Sequence, residues 1–493
     1  MKSKNPDGHP KPRRTIELLL LLIALTIGIG AQVLVGLNLE DEIDQRYWLE
    51  GGLQVGLALA FHIALRLKAK YADPFILPIV VTLNGLGIAM IHRLDFTSRY
   101  DGVADRQLMW TAISMVAAIA LLVLLKDHRK LRQLTYISLA VSVLLLFLPI
   151  VPGLGQDIQG AQVWITIGGM SFQPGELAKI TLGIFFAGFL ANNRDLILLA
   201  GRKVGPLTFP RLQDLGPLFL AWLIAMGVLI VQNDLGNALM FFGLFVAVIY
   251  VATSRISWVA IGVAFVAVGA VLAYQFVWHA RNRFDIWLNA FDQEIYDQLY
   301  GSHQLVQGLF GLAHGGLTGT GLGSGSPQIV ALANSDMIIV AFGEELGFLG
   351  LSAMLVLYLI LFSRYMRAGL GTRDHFGKLL AVGLAMVLVL QVFVVVGGIT
   401  RVIPMSGLVS PFLAAGGSAL LANWLIVAIV LLISHAARRP IVVGPMLNTT
   451  GEGASGTEDP LRGRPTGEQR PVTEAPSAHH PSGGPALKEG EGR

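Results

Sequence analysis

Long runs of apolar residues, separated by short polar segments, recur along most of the chain. A helix that crosses a lipid bilayer requires roughly 20 such residues. About twelve candidate segments approach this length, centred near residues 27, 58, 83, 116, 142, 183, 223, 244, 267, 350, 387 and 424. The second of them is the least apolar. The pattern therefore predicts an all-α, polytopic helical membrane protein with about 12 transmembrane helices between residues 16 and 440.

The longest polar interruption of this pattern separates the ninth and tenth candidate helices, at about residues 279–335. Its first half contains arginines and aspartates, and its second half contains a glycine-rich stretch, Gly315 to Gly325. Glycine permits positive φ and a close approach of the backbone to a neighbouring group. The stretch matches neither the dinucleotide-binding fingerprint nor the phosphate-binding loop. We therefore predict that this polar loop carries chemistry or binding without a nucleotide motif.

The basic residues of the loops predict the orientation in the membrane, because cytoplasmic loops carry an excess of Lys and Arg. Basic residues are concentrated in the amino-terminal segment 1–15 and in the loops that follow even-numbered candidate helices: Arg66, Lys68, Lys70, Lys126, Arg129, Lys130, Arg132, Arg194, Arg202, Lys203, Arg211, Arg255, Arg364, Arg367 and Arg373. This distribution predicts that both termini are cytoplasmic and that the large polar loop is extracytoplasmic.

Composition supports the membrane class and excludes several functions. Of the 493 residues, 54% are hydrophobic and 14% are charged, and the mean hydropathy is +0.63, which is far too apolar for a soluble domain. The chain has no cysteine and therefore no disulfide, and its net charge of +4 is not gathered into a basic face for nucleic acid. Residues 441–493 are rich in Gly, Pro, Glu, Ser and Thr, which predicts a disordered cytoplasmic tail.

Charged residues inside the predicted helices are candidates for function, because each costs a few kcal/mol in the bilayer. Glu176 and Lys179 are three residues apart and share a helix face, so they either form a structural ion pair or present Lys179 to an anionic ligand. Asp234 is better explained as a helix N-cap than as a ligand. Glu344 and Glu345 lie near the amino end of a predicted helix. Stabilisation by the helix dipole and a functional role are equally good explanations for carboxylates at that position.

Four residues of the polar loop are candidate ligands or catalysts. Arg281 and Arg283 can direct guanidinium groups to phosphate oxygens, or they can extend along the membrane interface. Asp292 and Asp297 can be solvated surface carboxylates, general bases, or ligands of a divalent cation. Arg401 adds a further polar group before the last helix. These residues predict an outward-facing polar site without naming its reaction.

Six ordered motifs between about residues 160 and 440 resemble the SEDS family of membrane glycosyltransferases, which includes the RodA and FtsW proteins. They are QPGELAK at 173–179, QNDLGNA at 232–238, the segments 283–304 and 315–323, DMIIVAFGEELG at 336–347, and PMSGLVSPFLAAGGS at 404–418. Residues 397–401 and 422–424 are more similar to actinobacterial RodA than to FtsW. Gly175, Asn233 and Ala290 depart from the family pattern, whereas the aspartate, arginine and glutamates are retained.

The resemblance implies a peptidoglycan glycosyltransferase of the bacterial cytoplasmic membrane. Such an enzyme polymerises lipid II on the outer face during cell elongation, releases undecaprenyl pyrophosphate, and works with a class B penicillin-binding protein. The resemblance implies that Asp297, seven residues before Gln304, is the general base and a ligand of Mg²⁺ or Mn²⁺, with Asp292 as a rival base and no organic cofactor. The residues expected to bind substrate are Lys179, Arg281, Arg283, Gln304, Glu176, Asp336, Glu344, Glu345 and Arg401.

Two other functions stay open for the sequence alone. A flippase of lipid-linked cell-wall precursors would line a path through the middle of the bilayer with charged residues, whereas the charges here are concentrated near one surface. A non-enzymatic scaffold for a penicillin-binding protein would retain partner binding without any role for Asp297.

Overall fold

The computed structural model describes residues 12–40, 45–97, 100, 102–158, 160–193, 202–204, 207–209, 212–298 and 300–440. The predicted tail at 441–493 and residues 1–11 of the amino-terminal segment lie outside the described residues. The helices, in chain order, are α1 Arg14–Glu40, α2 Gln45–Lys68, α3 Ile76–Asp95, α4 Val103–Leu124, α5 Lys130–Gln133, α6 Thr135–Phe147, α7 Pro174–Asn192, α8 Leu212–Val231, α9 Leu235–Thr253, α10 Ser257–Phe276, α11 Trp278–Leu288, α12 Gln293–Tyr296, α13 His303–Gly315, α14 Ile338–Gly371, α15 His375–Ile399 and α16 Gly417–Arg438.

Each of the predicted membrane segments coincides with one of these helices. Within the described part of the chain, 10 helices are long and apolar enough to cross a membrane, and two shorter apolar helices occupy Thr135–Ile150 and Gly216–Val231. The polytopic helical class is therefore confirmed. The number of twelve crossings stays a prediction, because these two apolar segments fall in the range of 10–17 residues, below the roughly 20 that a bilayer requires.

Two small antiparallel sheets were not predicted and make the protein slightly less than all-α. Strands β1 Gly155–Ile158, β2 Ala161–Ile167 and β3 Met170–Phe172 pair in sequence order just before α7, and β4 Arg202–Val204 pairs with β5 Leu207–Phe209. In β2, Val163 and Ile165 are buried and Thr166 is exposed, the alternation of a strand with one covered face. The backbone amide of Gln162 also donates to the carbonyl oxygen of Gln232 at 3.2 Å, which joins this sheet to the turn between α8 and α9.

Helix α3 lies in the interior of the bundle, and every residue of its most apolar window is buried. Gly28 of α1 and Gly85 of α3 let the two backbones cross closely, because a Cβ on Gly28 would lie 2.9 Å from the Cα of Gly85. Small residues at such crossings are typical of membrane helix pairs. On another side, the indole of Trp424 in α16 donates a hydrogen bond to Oδ1 of Asn84 at 3.2 Å. By contrast, α10 is almost wholly exposed, as expected of a helix that faces lipid.

Candidate active site

Helix α7 begins with a short motif that places an ion pair in the protein interior. Pro174 occupies the first turn, where a backbone amide hydrogen has no partner in the helix. Nζ of Lys179 lies 2.5 Å from Oε2 of Glu176, and both side chains are buried. Lys179 also donates to Oε1 of Gln391 on α15 at 3.3 Å. The structural ion pair is therefore confirmed, and a contact of Lys179 with an anionic ligand stays a prediction.

The turn between α8 and α9 brings a second carboxylate to the same region. Oδ1 of Asp234 accepts a hydrogen bond from the backbone amide of Asn237 at 3.0 Å, and Oδ2 accepts one from its Nδ2 at 2.6 Å. The predicted N-cap is therefore confirmed. Burial raises the pKa of the Asp234 carboxyl, while the hydrogen bonds from Asn237 and the charge of Arg283 oppose that rise. Asp234 is thus within electrostatic reach of both Arg283 and Glu176.

Two arginines of α11 have different surroundings. Arg283 donates from Nη1 to the carbonyl oxygen of Ser406 at 3.0 Å. Burial lowers the pKa of Arg283, and the carboxylates of Asp234 and Asp336 act against that shift. Arg281 is exposed, and its guanidinium group lies over an aromatic ring of α10, 5.7 Å from the ring centroid. The structure therefore brings the half-buried Arg283, but not the exposed Arg281, into the neighbourhood of Asp234 and Asp336.

Asp336 lies just before α14 and completes this group. Its Oδ1 accepts a hydrogen bond from Oγ of Ser335 at 3.1 Å. Burial raises the pKa of the Asp336 carboxyl to about 6, and the hydrogen bond from Ser335 and the charge of Arg283 limit the rise. A carboxyl with this pKa changes its charge in the range around neutral pH. We define the buried charge cluster as the buried side chains of Glu176 and Lys179 together with the half-buried side chains of Asp234, Arg283 and Asp336.

The polar loop carries Asp297 at its surface. Asp297 follows the short helix α12, is exposed, and accepts a hydrogen bond from Nε2 of Gln293 at 2.7 Å. Gln304 in the first turn of α13 donates from Nε2 to the carbonyl oxygen of Ala331 at 3.2 Å. Asp292 caps the amino end of α12 by accepting a backbone hydrogen bond at 2.9 Å. The hydrogen bonds and ion pairs among the described residues do not link Asp297 to the buried charge cluster.

The first part of the loop is folded around a small hydrophobic core of its own. Ala290, Leu305 and Val306 are buried against one another. Oγ of the buried Ser302 donates to the carbonyl oxygen of Ala290 at 2.5 Å. Asp297 therefore lies on a short segment whose base is closed by the contact between Ala290 and Ser302.

Glu344 and Glu345 of α14 anchor the glycine-rich stretch. Oε2 of Glu345 accepts a hydrogen bond from the Gly323 amide, and Oε1 of Glu344 accepts one from the Ser326 amide, both at 2.9 Å. Oε1 of Glu345 forms a buried ion pair with Arg93 of α3 at 2.9 Å. Both glutamates thus bind protein groups, and a contact of either with substrate stays a prediction. Arg93 was missed in the sequence, although a charge in the last turn of an apolar helix is a signal for such a role.

A break in α14 explains how the glycine-rich stretch docks there. Gly347 has φ +66° and ψ −171°, a conformation essentially restricted to glycine. The backbone groups on either side of the break bind the stretch, through Thr320 N to Glu344 O at 3.0 Å, Gly321 N to Glu345 O at 3.0 Å, Phe348 N to Gly316 O at 2.9 Å and Leu349 N to Leu317 O at 3.1 Å. The stretch and the break therefore satisfy each other's hydrogen bonds, as buried backbone requires.

Replacing Gly347 by Ala should destabilise the protein. Its Cβ would lie 2.2 Å from the backbone nitrogen of Gly319, and the backbone strain alone costs about 1–3 kcal/mol. We expect a lower melting temperature of the protein in detergent. Gly56→Ala is the matched control, because a Cβ on this helical glycine would meet no atom within 4 Å. Equal melting temperatures for the two variants would show that the break is not required.

Arg401 fixes the end of α11 to the segment before α16. Its guanidinium group donates to the carbonyl oxygens of Trp287, at 2.8 and 3.1 Å, and of Leu288, at 3.1 Å. In return, Nε1 of Trp287 donates to the carbonyl oxygen of Arg401 at 2.9 Å. These residues border an open cavity of about 450 Å³. The observed contacts of Arg401 therefore orient α11, and its predicted contact with substrate stays a prediction.

Comparison with known proteins identifies the family. Residues 75–439 match the family model FTSW_RODA_SPOVE, which is described as a cell cycle protein. The chain belongs to this family. It is 43% identical over 452 residues to peptidoglycan glycosyltransferase RodA of Mycobacterium tuberculosis, with 90% of this chain and 95% of that protein covered. It is 30% identical over 385 residues to stage V sporulation protein E of Bacillus subtilis, with 76% of this chain and all of that protein covered.

Solved structures of the family have the same fold. One chain, described under "Structural coordination of polymerization and crosslinking by a peptidoglycan synthase complex", has a TM-score of 0.61 and 25% identity, and the match covers 74% of this chain and 98% of that chain. The rod shape determining protein RodA of Thermus thermophilus has a TM-score of 0.51 and 25% identity, with 74% and 96% covered. The resemblance to actinobacterial RodA is confirmed by the mycobacterial relatives.

Proposed function

We propose that this family member is a peptidoglycan glycosyltransferase, which polymerises lipid II into glycan strands and releases undecaprenyl pyrophosphate. One arrangement supports the proposal most directly. The polar loop contains both the exposed carboxylate of Asp297 and Arg283, which belongs to the buried charge cluster. A base for a sugar hydroxyl and one cation for a pyrophosphate, Arg283, therefore belong to one loop. The match to mycobacterial proteins named peptidoglycan glycosyltransferase RodA, over 95% of their length, supports the same activity.

The proposed orientation places the reaction on the outer face of the bacterial cytoplasmic membrane. Basic residues in alternate loops favour cytoplasmic termini and an extracytoplasmic polar loop. Asp297 then faces the side on which glycan strands are assembled during elongation.

Asp297 is the proposed general base. It removes the proton from the 4-hydroxyl of the acceptor sugar as that oxygen forms a bond to the anomeric carbon of the donor. The bond between this carbon and the pyrophosphate breaks, its electron pair leaves with the pyrophosphate, and the configuration at the carbon is inverted. Because Asp297 is exposed, its carboxylate is accessible to a sugar hydroxyl. General-base assistance of this kind contributes about 10²–10⁴-fold to the rate.

The cations of the buried charge cluster are proposed to stabilise the charge on the leaving pyrophosphate. Fixed cations shielded from water act strongly on a developing negative charge. Arg283 is favoured over Arg281, because its guanidinium is already held by Ser406 whereas Arg281 is exposed. Glu176 would hold the ammonium group of Lys179 in place through their buried ion pair. Five further residues are proposed to contact the substrate: Gln304, Asp336, Glu344, Glu345 and Arg401.

A divalent cation, Mg²⁺ or Mn²⁺, is proposed to accompany the pyrophosphate. Among the described residues no group of three or more His, Asp or Glu is arranged to hold a metal ion. Mg²⁺ in phosphate-transfer sites is commonly bound by one or two carboxylates, substrate phosphates and water. Asp297 fits that limited role, since its carboxylate is exposed and has an amide rather than a cation as its partner. When bound, the ion would neutralise charge on the diphosphate.

A class B penicillin-binding protein is the proposed partner. The structural neighbour with a TM-score of 0.61 is described as part of a peptidoglycan synthase complex that coordinates polymerization and crosslinking. A polymerase of lipid II supplies the strands that a transpeptidase crosslinks, so the two activities are chemically consecutive. The structural neighbour therefore supports a partner of the transpeptidase class. The proposed role of this chain is that of the membrane-embedded polymerase.

The pKa of Asp336 predicts how the activity depends on pH. Its carboxyl is deprotonated above about pH 6 and protonated below it, so the carboxylate beside Arg283 is lost as the pH falls. If this charge orients Arg283, the rate should be about tenfold lower at pH 5 than at pH 7. Initial rates of lipid II polymerisation measure the profile. The Asp336→Asn variant should polymerise lipid II more slowly at pH 7, and its rate should show no change near pH 6. If the variant still showed the change near pH 6, a different group would be responsible for it.

The flippase alternative requires a polar route through the membrane. Ionisable side chains do occur within α1 and α2, where Glu17 contacts His62 at 2.7 Å and Glu50 contacts Gln32 at 2.5 Å. Each of these side chains contacts a polar group of the neighbouring helix. The cavity beside Gln54 has a volume of about 20 Å³, which accommodates one water molecule and no lipid headgroup.

Reconstitution in proteoliposomes separates the enzyme from the flippase. The purified full-length protein and a class B penicillin-binding protein are supplied with fluorescent lipid II, and glycan strands and transbilayer movement are both measured. We expect strands longer than the input disaccharide and no protein-dependent movement. Lipid II that crosses the bilayer without polymerisation would support the flippase instead. Partner binding without either activity would support the scaffold.

A further inference from the structure

The first two helices lie outside the family match. Helices α1 and α2 end at Lys68, whereas the match begins at residue 75; we call this pair the amino-terminal hairpin. Its helices pack closely, since a Cβ on Gly36 of α1 would lie 2.6 Å from the ring of Tyr47 on α2. Gly28 also brings α1 against the backbone of α3 at Gly85. The amino-terminal hairpin therefore forms one packed unit with the first helix of the family match.

The end of α1 reaches the glycine-rich stretch directly. Nδ2 of Asn38 donates a hydrogen bond to the carbonyl oxygen of Leu322 at 2.5 Å. A Cβ on Gly323 would lie 2.9 Å from the Cβ of Asn38 and 3.5 Å from the carbonyl oxygen of Val35. Gly323 also has φ +83°, a conformation that favours glycine. The hairpin thus contacts the same segment whose Gly323 amide binds Glu345 on the opposite side.

A second connection runs through α2 and α3. The hydroxyl oxygen of Tyr47 lies 3.0 Å from Nε2 of His92, and the two rings meet edge to face with centroids 4.9 Å apart. His92 precedes Arg93, which donates from Nη2 to the carbonyl oxygen of Gly325 at 2.7 Å. The residue that holds the end of the glycine-rich stretch therefore lies next to a residue supported by the hairpin.

We infer that the amino-terminal hairpin positions the glycine-rich stretch for the reaction of the polar loop, and that Asn38 is a positioning residue. Several glycines of the stretch have positive φ, so its backbone has many alternative conformations when it is unrestrained. Contacts from α1 on one side and from Glu344 and Glu345 on the other select one of them. The consequence for catalysis rests on the proposed function, whereas the consequence for conformation does not.

The test replaces Asn38 by Leu in the full-length protein, which keeps the side chain's size and removes its donor. Hydrogen exchange of the amides of residues 320–323 in lipid nanodiscs reports the conformation. One neutral hydrogen bond contributes about 1 kcal/mol, equivalent to about fivefold. We therefore expect exchange in the stretch to rise about fivefold and the kcat of glycan polymerisation with the partner to fall about fivefold.

Two controls separate positioning from general stability. Leu37→Ala changes the neighbouring residue of α1, which is 41% exposed, and should leave exchange and kcat unchanged. Asn38→Gln retains an amide donor. It should restore a substantial part of the stretch's protection from hydrogen exchange and a substantial part of kcat. Exchange within α15 and the melting temperature should stay at their wild-type values in Asn38→Leu, because only the stretch is released.

The outcomes are distinguishable from those of the proposed function. Faster exchange in the stretch alone, with lower kcat and recovery in Asn38→Gln, supports the inference. Unchanged exchange overturns it, as does faster exchange with unchanged kcat. If the wild-type protein makes no glycan at all, the proposed function fails, and exchange in the Asn38→Leu variant still decides whether the hairpin restrains the stretch.

Discussion

Replacing Asp297 by Asn should lower the rate of glycan polymerisation by about 10²–10⁴-fold while leaving the protein folded. An amide has nearly the shape of the carboxylate but does not accept a proton from the acceptor hydroxyl. The stability should change little, because Asp297 is exposed and its side chain accepts a hydrogen bond from Gln293 rather than from a buried group. The measurement is the initial rate of lipid II consumption with the partner present, together with the melting temperature.

Asp292→Asn is the matched control for this prediction. Asp292 caps α12 through a backbone hydrogen bond, and Asn is a comparable N-cap. We expect the rate of Asp292→Asn to stay within about twofold of the wild type, since a cap is retained. If Asp292→Asn abolished polymerisation and Asp297→Asn did not, the general base would be Asp292.

Replacing Lys179 by Met should destabilise the protein by about 3–5 kcal/mol. The substitution removes one partner of a buried ion pair and leaves the carboxylate of Glu176, which is 1% exposed, without its cation. Gln391 would also lose its contact with Nζ. The free energy of unfolding in mixed micelles measures the effect. A loss below about 1 kcal/mol, typical of an exposed pair, would contradict the buried ion pair.

The double variant Glu176→Gln/Lys179→Met separates structure from chemistry. Removing both charges should restore most of the stability, because no uncompensated charge stays buried. The polymerisation rate should stay low, since the cation proposed for the leaving pyrophosphate is still missing. A stable double variant with wild-type activity would show that Lys179 serves only the fold.

Much of the fold could be predicted from hydrophobic segments alone, because membrane helices must satisfy their own backbone hydrogen bonds in lipid. The small sheet at residues 155–172 could not be predicted in this way. Its strands have only three to seven residues, and short apolar runs of this kind cannot be distinguished from helix segments by their periodicity alone. The break at Gly347 was also hidden, because the residues around it read as one apolar helix.

The site could be predicted in part from its motifs. Arg281 and Arg283 looked equivalent in the sequence, but residues two apart on a helix do not share a face. Once α11 is formed, one of them is exposed and the other enters the buried charge cluster. The ion pair of Arg93 with Glu345 joins residues 252 positions apart. No local pattern indicates such a pair, and only the packing of α3 against α14 shows it.

The most direct test of the central claim measures release of undecaprenyl pyrophosphate from lipid II by the purified full-length protein with its class B penicillin-binding partner. Glycan length is followed in the same reaction, and Asp297→Asn is run beside the wild type. The proposed function predicts one diphosphate released for each disaccharide added by the wild type, and almost none released by the variant. Equal release by both proteins, or growth of strands in the variant at the wild-type rate, would contradict it.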